Sequence, residues 1–329
     1  DGQRGRYESF VRQLLRRDRK SGLAYWKALL ADYATRAAIP TFGKPADAQV
    51  SPYVRCSFDK ALTDQLRQLA ANTGVTLNTV IELAWGLVLQ TYCQTNDVVF
   101  ARVVSGRSDG ANSKLVGPFI NSVPVRVHTA ATDTARQALK ALQEQTAQSA
   151  AYDFCPLSDI QSQTQLSSSL LQSFVAFENY PVDETYLNDN SKRNIKVIQA
   201  EEEPFGELAL AVIPERDGTL HITFSYDTSL YGEQQMQQVA DTFETFVKNM
   251  VAMPDQHIGE LPLITAEQQQ SLVLLGTGKH LDVDPSMTFV KAFEQQARKT
   301  PDSLAVADAT DSLTYGELSH RSDVLAHKL

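Results

Sequence analysis

Apolar residues recur at helical spacing from Tyr7 to Leu30, where Phe10, Val11, Leu14 and Leu15 form a stripe flanked by Arg12, Arg16, Arg17 and Lys20. Ala24, Tyr25, Trp26, Leu29 and Leu30 continue it past a weak point at Ser21-Gly22. Ile39 to Ser51 reads as loop and Tyr53 to Phe58 as strand. A helix from about Lys60 to Asn72 stops at Gly74, a C-cap signal. The next, from about Leu77 to Tyr92, has Thr76 or Asn78 near its N-cap and is apolar nearly all round, which predicts burial at the centre of a domain. Asp97 to Val104 reads as a buried strand and Asp133 to Ala150 as an amphipathic helix. Ser173 to Glu178 and Ile195 to Gln199 follow as strands, then a hairpin of Leu208 to Ile213 and Leu220 to Tyr226 around Asp217-Gly218. Gln234 to Met250 carries Met236, Val239, Phe243, Phe246 and Val247 on one helical face. Gly259 to Pro285, with apolar runs broken by Gly276, Gly278 and Pro285, reads as a linker. Beyond it come a helix at Thr288 to Arg298, strand-like Ser303 to Asp308 and Leu313 to Tyr315, and a helix from Gly316 to Leu329.

One segment breaks the pattern in an informative way. Leu115 to Val127 opens on the turn signal Gly117-Pro118, passes through apolar Phe119 and Ile120, and then places Asn121 and Ser122 inside an apolar run. Val123, Val125 and Val127 alternate with Pro124, Arg126 and His128, the period of a half-buried strand. Pro124 cannot donate to a ladder, so this strand belongs at an edge or is bulged there. An Asn directed inward needs hydrogen-bond partners or a ligand.

Composition narrows the classes. At 329 residues two domains are the prior, and 43% hydrophobic residues suffice for a sizeable core. The net charge of −9, without a basic stripe, argues against a nucleic-acid partner. Cys56, Cys93 and Cys155 are widely spaced, which favours reduced thiols and a cytoplasmic setting over a disulfide framework or zinc site. No signal peptide or membrane span is legible; Val80 to Leu89 is too short and contains Glu82. The chain starts without Met and stops inside an apparent helix, so both ends read as cuts through a longer polypeptide.

Catalytic constellations are not evident. The six histidines are scattered, no pair has metal-ligand spacing, and no nucleophile elbow is present. Gly276-Thr-Gly-Lys279 lacks the glycine and hydroxyl of a phosphate loop and reads as a linker turn. Glu201-Glu202-Glu203 reads as a solvated face and Cys155 as a packed thiol. Two places stand out. One is Ser105-Gly-Arg107 with the Leu115 to Val127 segment, a polar cluster at strand ends of the kind that faces a cleft. The other is Leu313-Thr-Tyr-Gly-Glu-Leu318, a strand-to-helix junction with Thr314 or Gly316 capping.

Taken in order, these segments resemble a non-ribosomal peptide synthetase: the C-terminal lobe of a condensation domain followed by the start of an adenylation domain. The matching blocks are Tyr7-x-x-Phe10-Val11, Asp18 and Tyr25-Trp26-x-x-x-Leu30; Val103-Val-Ser-Gly-Arg107; Val116-Gly-Pro-Phe-Ile-Asn-Ser-Val-Pro-Val-Arg126; Tyr152 to Ile160; Phe177-Glu-Asn-Tyr-Pro181; and Phe224-Ser-Tyr-Asp227. Ser122 stands where the family usually has Thr. Phe293 to Pro301, with Leu313, Thr314, Tyr315, Glu317 and Leu318, resembles the opening of an adenylating enzyme, a structural motif there.

The resemblance implies an α/β fold: a chloramphenicol-acetyltransferase-like lobe, a mixed β-sheet with flanking helices, then a truncated N-terminal piece of an adenylate-forming enzyme. It divides the chain into residues 1–258, a linker at 259–285 and residues 286–329. The family's catalytic His-His-x-x-x-Asp-Gly motif lies upstream of everything present, so no catalytic residue is expected in this stretch. Ser105, Arg107, Gly117, Phe119, Asn121 and Arg126 become candidates for the wall of a phosphopantetheine tunnel. The implied cofactors are phosphopantetheine on partner carrier domains, and ATP with Mg for a complete adenylation domain; none, metal included, is expected on this piece. The implied partners are upstream and downstream peptidyl carrier domains, the missing N-terminal lobe and the rest of the adenylation domain, with no nucleic acid and no membrane. An epimerisation domain, a non-catalytic condensation-like platform and a free-standing acyltransferase are the alternatives.

Overall fold

The computed structural model describes residues 7–41, 52–106, 117–178, 206–279 and 284–329. It opens with α1 (Tyr7–Leu15) and α2 (Arg19–Leu29). The break between them falls before Arg19, not at Ser21-Gly22. Asp18 caps α2, its carboxylate accepting from the Ser21 amide at 3.1 Å and from the Ser21 hydroxyl at 2.6 Å. Gly22 instead lies within α2, so close to Cys155 that a Cβ would overlap the sulfur.

A six-stranded mixed sheet follows. Its strands are β1 (Tyr53–Phe58), β2 (Asp97–Ser105), β3 (Ile120–His128), β4 (Ser173–Phe177), β5 (Leu208–Pro214) and β6 (Leu220–Tyr226), in the spatial order β1-β6-β5-β4-β2-β3. β4 runs parallel to both β2 and β5, while the other pairs are antiparallel. The helices α3 (Lys60–Thr73), α4 (Leu77–Cys93), α5 (Ala135–Ser149) and α7 (Glu233–Ala252) contribute to the main core, and the short α6 (Leu157–Gln161) lies after α5. Every residue from Thr79 to Gln90 of α4 is buried, as its apolar circumference requires. Capping defines these helices. Asp59 caps α3, Thr76 caps α4, and Thr134 forms a capping box with Gln137 at α5. Gly74 and Gln94 close α3 and α4 in the left-handed conformation. A second apolar cluster gathers Trp26, Tyr33, Val99, Ala101, Cys155, Ile160 and Leu170.

β3 is the edge strand that Pro124 called for. Its outward backbone is not bare. The Arg126 amide donates to Gln145 Oε1 at 3.1 Å, and Gln145 Nε2 donates to the Arg126 carbonyl at 2.8 Å. A side-chain amide on α5 thus replaces a neighbouring strand there, a local block against edge pairing. The strand read at Ile195 to Gln199 lies outside the described residues.

The chain divides into two compact units, Asp1–Ala266 and Glu267–Leu329. The stretch read as linker contains a helix, α8 (Ala266–Gly276), because Ala266 to Leu275 has no Gly or Pro and is rich in helix formers. The second unit holds α9 (Phe289–Lys299), the antiparallel pair β7 (Leu304–Ala307) and β8 (Ser312–Thr314), and α10 (Tyr315–Ala326). Phe293 and Tyr315 meet at 6.0 Å between ring centroids. No helix among the described residues is long and apolar enough to cross a membrane.

Candidate functional site

The β2–β3 hairpin extends one end of the sheet and carries most of the residues singled out in the sequence. Ser105 pairs with Ile120 and Val104 with Asn121, and the Gly106 amide donates to the Phe119 carbonyl at 2.9 Å. Ser105 is exposed, whereas Phe119 is buried against Phe10, ring to ring at 4.6 Å. Gly117 is approached closely, but by this chain: the Tyr7 ring occupies the place where a Cβ would stand, and the Tyr7 hydroxyl donates to the Pro118 carbonyl. Arg107 lies outside the described residues.

Asn121 has found the partners that an inward Asn needs. Its Nδ2 donates to the carbonyls of Asp153 at 2.7 Å and Cys155 at 2.8 Å. The same loop is held by Trp26, whose indole N–H donates to the Tyr152 carbonyl at 3.2 Å, and by a stack of Tyr25 on Tyr152 at 4.8 Å. Asn121 therefore acts first on the backbone of residues 152–155, where the sequence reading placed it against a ligand.

Arg126 stands elsewhere. Five residues along an extended strand separate it from Asn121, roughly 17 Å. Its guanidinium is bidentate on Asp97, at 2.9 and 2.6 Å, and also donates to the carbonyls of Leu29 and Ala31. It fastens the end of α2 to β3 beside an open pocket of about 500 Å³ lined by Leu29, Asp32, His128, Leu142 and Gln145 among others. In the second unit, Thr314 caps α10 in a capping box with Glu317, its own amide donating to Glu317 Oε2 at 2.9 Å. Leu313 and Thr314 end β8, while Tyr315, Glu317 and Leu318 form the first turns of α10.

Next to Asn121 the fold assembles a polar cluster that pattern reading missed. Glu82 of α4 is fully buried; its Oε2 lies 3.3 Å from Arg102 Nη1, and its Oε1 accepts from Asn78 Nδ2 at 2.8 Å. Arg102 also donates to Thr146 Oγ1 at 2.9 Å and Ser149 Oγ at 3.2 Å. Asp153, on the loop that Asn121 holds, feels the same guanidinium. Burial pushes the Glu82 and Asp153 carboxyls above their usual range, and Arg102 only partly offsets it. Two carboxyls thus share one guanidinium, and the buried Asn78 Oδ1 and Asp153 Oδ1 have no donor among the described residues. A signal existed in the sequence: Glu82 interrupts a helix apolar all round, and Arg102 sits in a strand read as buried.

The sign of the Asp153 shift makes it testable. A carboxyl whose pKa is higher in the folded state stabilises the fold less as pH rises through that pKa. Asp153→Asn is expected to raise urea stability at neutral pH, with the gain vanishing below about pH 4, where both folded and unfolded carboxyls are protonated. A gain that persists undiminished in acid would show that the benefit is not electrostatic.

Among the described residues no group of three or more His, Cys, Asp or Glu is placed to hold a metal ion. The arrangement described so far is a positioning frame: an amide, two aromatic residues and a guanidinium cluster fix one loop against the end of a sheet.

Comparison with known proteins gives this frame a context. The family model described as "Condensation domain" matches residues 2–273. The chain is 32% identical over 329 residues to tyrocidine synthase 3 of Brevibacillus parabrevis, covering 98% of this chain and 5% of that protein. It is 31% identical over 330 residues to bacitracin synthase 3 of Bacillus licheniformis, covering 97% of this chain and 5% of that protein. The chain thus spans only a small part of the length of these relatives. In structure it is similar to a four-domain nonribosomal peptide synthetase bound to AMP and glycine, with a TM-score of 0.73, 21% identity, and coverage of 95% of this chain and 25% of the other. It is also similar to the first condensation domain of the calcium-dependent antibiotic synthetase, with a TM-score of 0.59, 17% identity, and coverage of 76% and 55%.

Proposed function

Since this chain belongs to the condensation-domain family, we propose that it is the second lobe of a condensation domain within a multimodular peptide synthetase, which joins two carrier-bound aminoacyl or peptidyl thioesters. The observation that carries the reading is the continuous family match over residues 2–273, on a fold shared with synthetase condensation structures. In the reaction, the amine nitrogen of the acceptor attacks the donor thioester carbonyl. The C–N bond forms, the C–S bond breaks, and the proton lost by nitrogen ends on the departing thiol. A histidine of the preceding lobe handles that proton, and this lobe supplies a wall that excludes water and holds the reactants at attack distance.

Ser105, Arg107, Gly117 and Phe119 belong to that wall in this reading, and Asn121 shapes it through the loop at residues 152–155. Arg126 contributes by fixing α2, at a distance from the reactants. The second unit is the beginning of an adenylation domain, with Leu313 to Leu318 as its opening strand-to-helix junction. The reactants arrive on phosphopantetheine arms of carrier domains, and ATP with Mg serves the completed adenylation domain. An adenylation unit directly downstream favours condensation over epimerisation, which usually closes a module.

The test uses the natural full-length protein with two carrier-bound aminoacyl thioesters in deuterated water. A dipeptidyl thioester without deuterium at the donor α-carbon is expected. Exchange at that carbon without dipeptide indicates an epimerisation domain, and neither product indicates a platform.

A further inference from the structure

Residues 7–30, which hold α1, the turn after it and α2, form a basic segment that the functional reading leaves unused. Residues 7–30 carry six basic and two acidic side chains within a protein of net charge −9. Two of the six are paired, Arg12 with Glu8 and Arg19 with Asp159. Asp18, the cap of α2, is exposed and lies in the field of Lys20, so it offsets part of this charge. Arg16, Arg17, Lys20 and Lys27 are exposed and make no ion pair among the described residues. Lys20 and Lys27 are seven residues apart and so share the outer face of α2.

Location gives this charge a meaning. α1 is mounted on the segment that leads into β3, through Tyr7 on Gly117 and Pro118 and through Phe10 on Phe119. The turn into α2 rests on the loop that Asn121 holds, with the Arg17 guanidinium 5.2 Å from the Phe154 ring centroid. The basic segment therefore touches two parts of the candidate wall, Gly117 to Phe119 and the loop at residues 152–155. Exposed Leu15 and Ile120 add apolar contacts to that border.

We propose that the exposed turn after α1 with the outer face of α2, carrying Arg16, Arg17, Lys20 and Lys27, is a docking surface for the acidic face of a folded protein partner. Charge complementarity selects that chemistry. A membrane surface is the poorer fit, because an interfacial helix needs a free apolar face and that of α1 is already spent on Phe119. Nucleic acid is disfavoured by the negative charge of the rest of the chain. The proposal rests on the condensation reading, in which such a partner is a carrier domain delivering its thioester to the adjoining wall.

The experiment titrates a fluorescently labelled carrier domain of the same synthetase into the natural full-length protein and reads anisotropy. R16E/R17E/K20E is expected to weaken binding about tenfold or more, and the milder R16Q/R17Q/K20Q about threefold, since rim charges act mainly on encounter. Wild-type affinity should fall several-fold from about 50 to 300 mM salt, and that dependence should flatten in the reversal variant. K140E, a charge reversal on the exposed face of α5, is the control and should bind as wild type. Absence of binding by the wild type, equal affinities for wild type and the reversal variant, or binding to phosphatidylserine vesicles in place of the carrier overturns the proposal. Normal condensation and carrier binding by the reversal variant would remove the docking surface and leave the condensation reading intact. Charge-dependent carrier binding by a protein that forms no dipeptide would do the reverse.

Discussion

Arg102→Met is expected to destabilise the first unit by about 3–5 kcal/mol in urea denaturation at neutral pH, the usual cost of stripping one partner from a buried ion pair. Glu82 has no other cation within hydrogen-bond reach among the described residues; its remaining hydrogen bond is from Asn78. The pair spans α4 and β2, so the loss is felt where the central helix meets the sheet. The defect should follow pH with a definite sign. Without Arg102, burial raises the Glu82 carboxyl further, and the ionised form is what the fold cannot accommodate. The penalty is then largest above the usual carboxylate range and shrinks as pH falls below about 4. Glu82→Leu with Arg102→Met should recover part of the stability, because the buried pair is replaced by apolar groups while only Asp153 is left without the guanidinium. A double variant as unstable as Arg102→Met alone would mean that lost packing, not the buried charge, sets the cost.

Asn121→Leu is expected to lower condensation about a hundredfold in the natural full-length protein while leaving amino-acid activation unchanged, in line with the loss from a misplacement of about 1 Å near the reactants. Two hydrogen bonds disappear, to the carbonyls of Asp153 and Cys155, and the loop they hold loosens. Asn121→Asp separates the two ways in which this residue could act. A carboxylate keeps an acceptor for any ligand but cannot donate to the two carbonyls and repels them. If Asn121 works through the loop, Asp is at least as damaging as Leu. Retention of activity by Asn121→Asp would return Asn121 to direct contact with the reactants. Equal loss of condensation and activation would instead report misfolding of the whole chain.

Local rules settle much of the architecture. The all-apolar circumference of Leu77 to Tyr92 dictates a central helix, and Pro124 dictates an edge strand, because both follow from where backbone and side chain can find partners. The ordered blocks also identify the family. Other features depend on contacts between segments far apart in the chain. Ser21-Gly22 looks like a helix breaker until Cys155 is packed against Gly22, and Asp18 takes the capping role instead. Asn121 reads as a ligand-facing residue until the loop after α5 is brought under it. Glu82 and Arg102 are twenty residues apart and look like two separate anomalies; only the packing of α4 on β2 makes them one pair. Spacing rules reach across a turn or a strand pair, whereas the satisfaction of a buried polar group depends on whichever segment the fold lays against it. That is why the chain alone determines the central helix, the edge and the family, while the tertiary structure decides what Asn121 holds and how the buried charges are balanced.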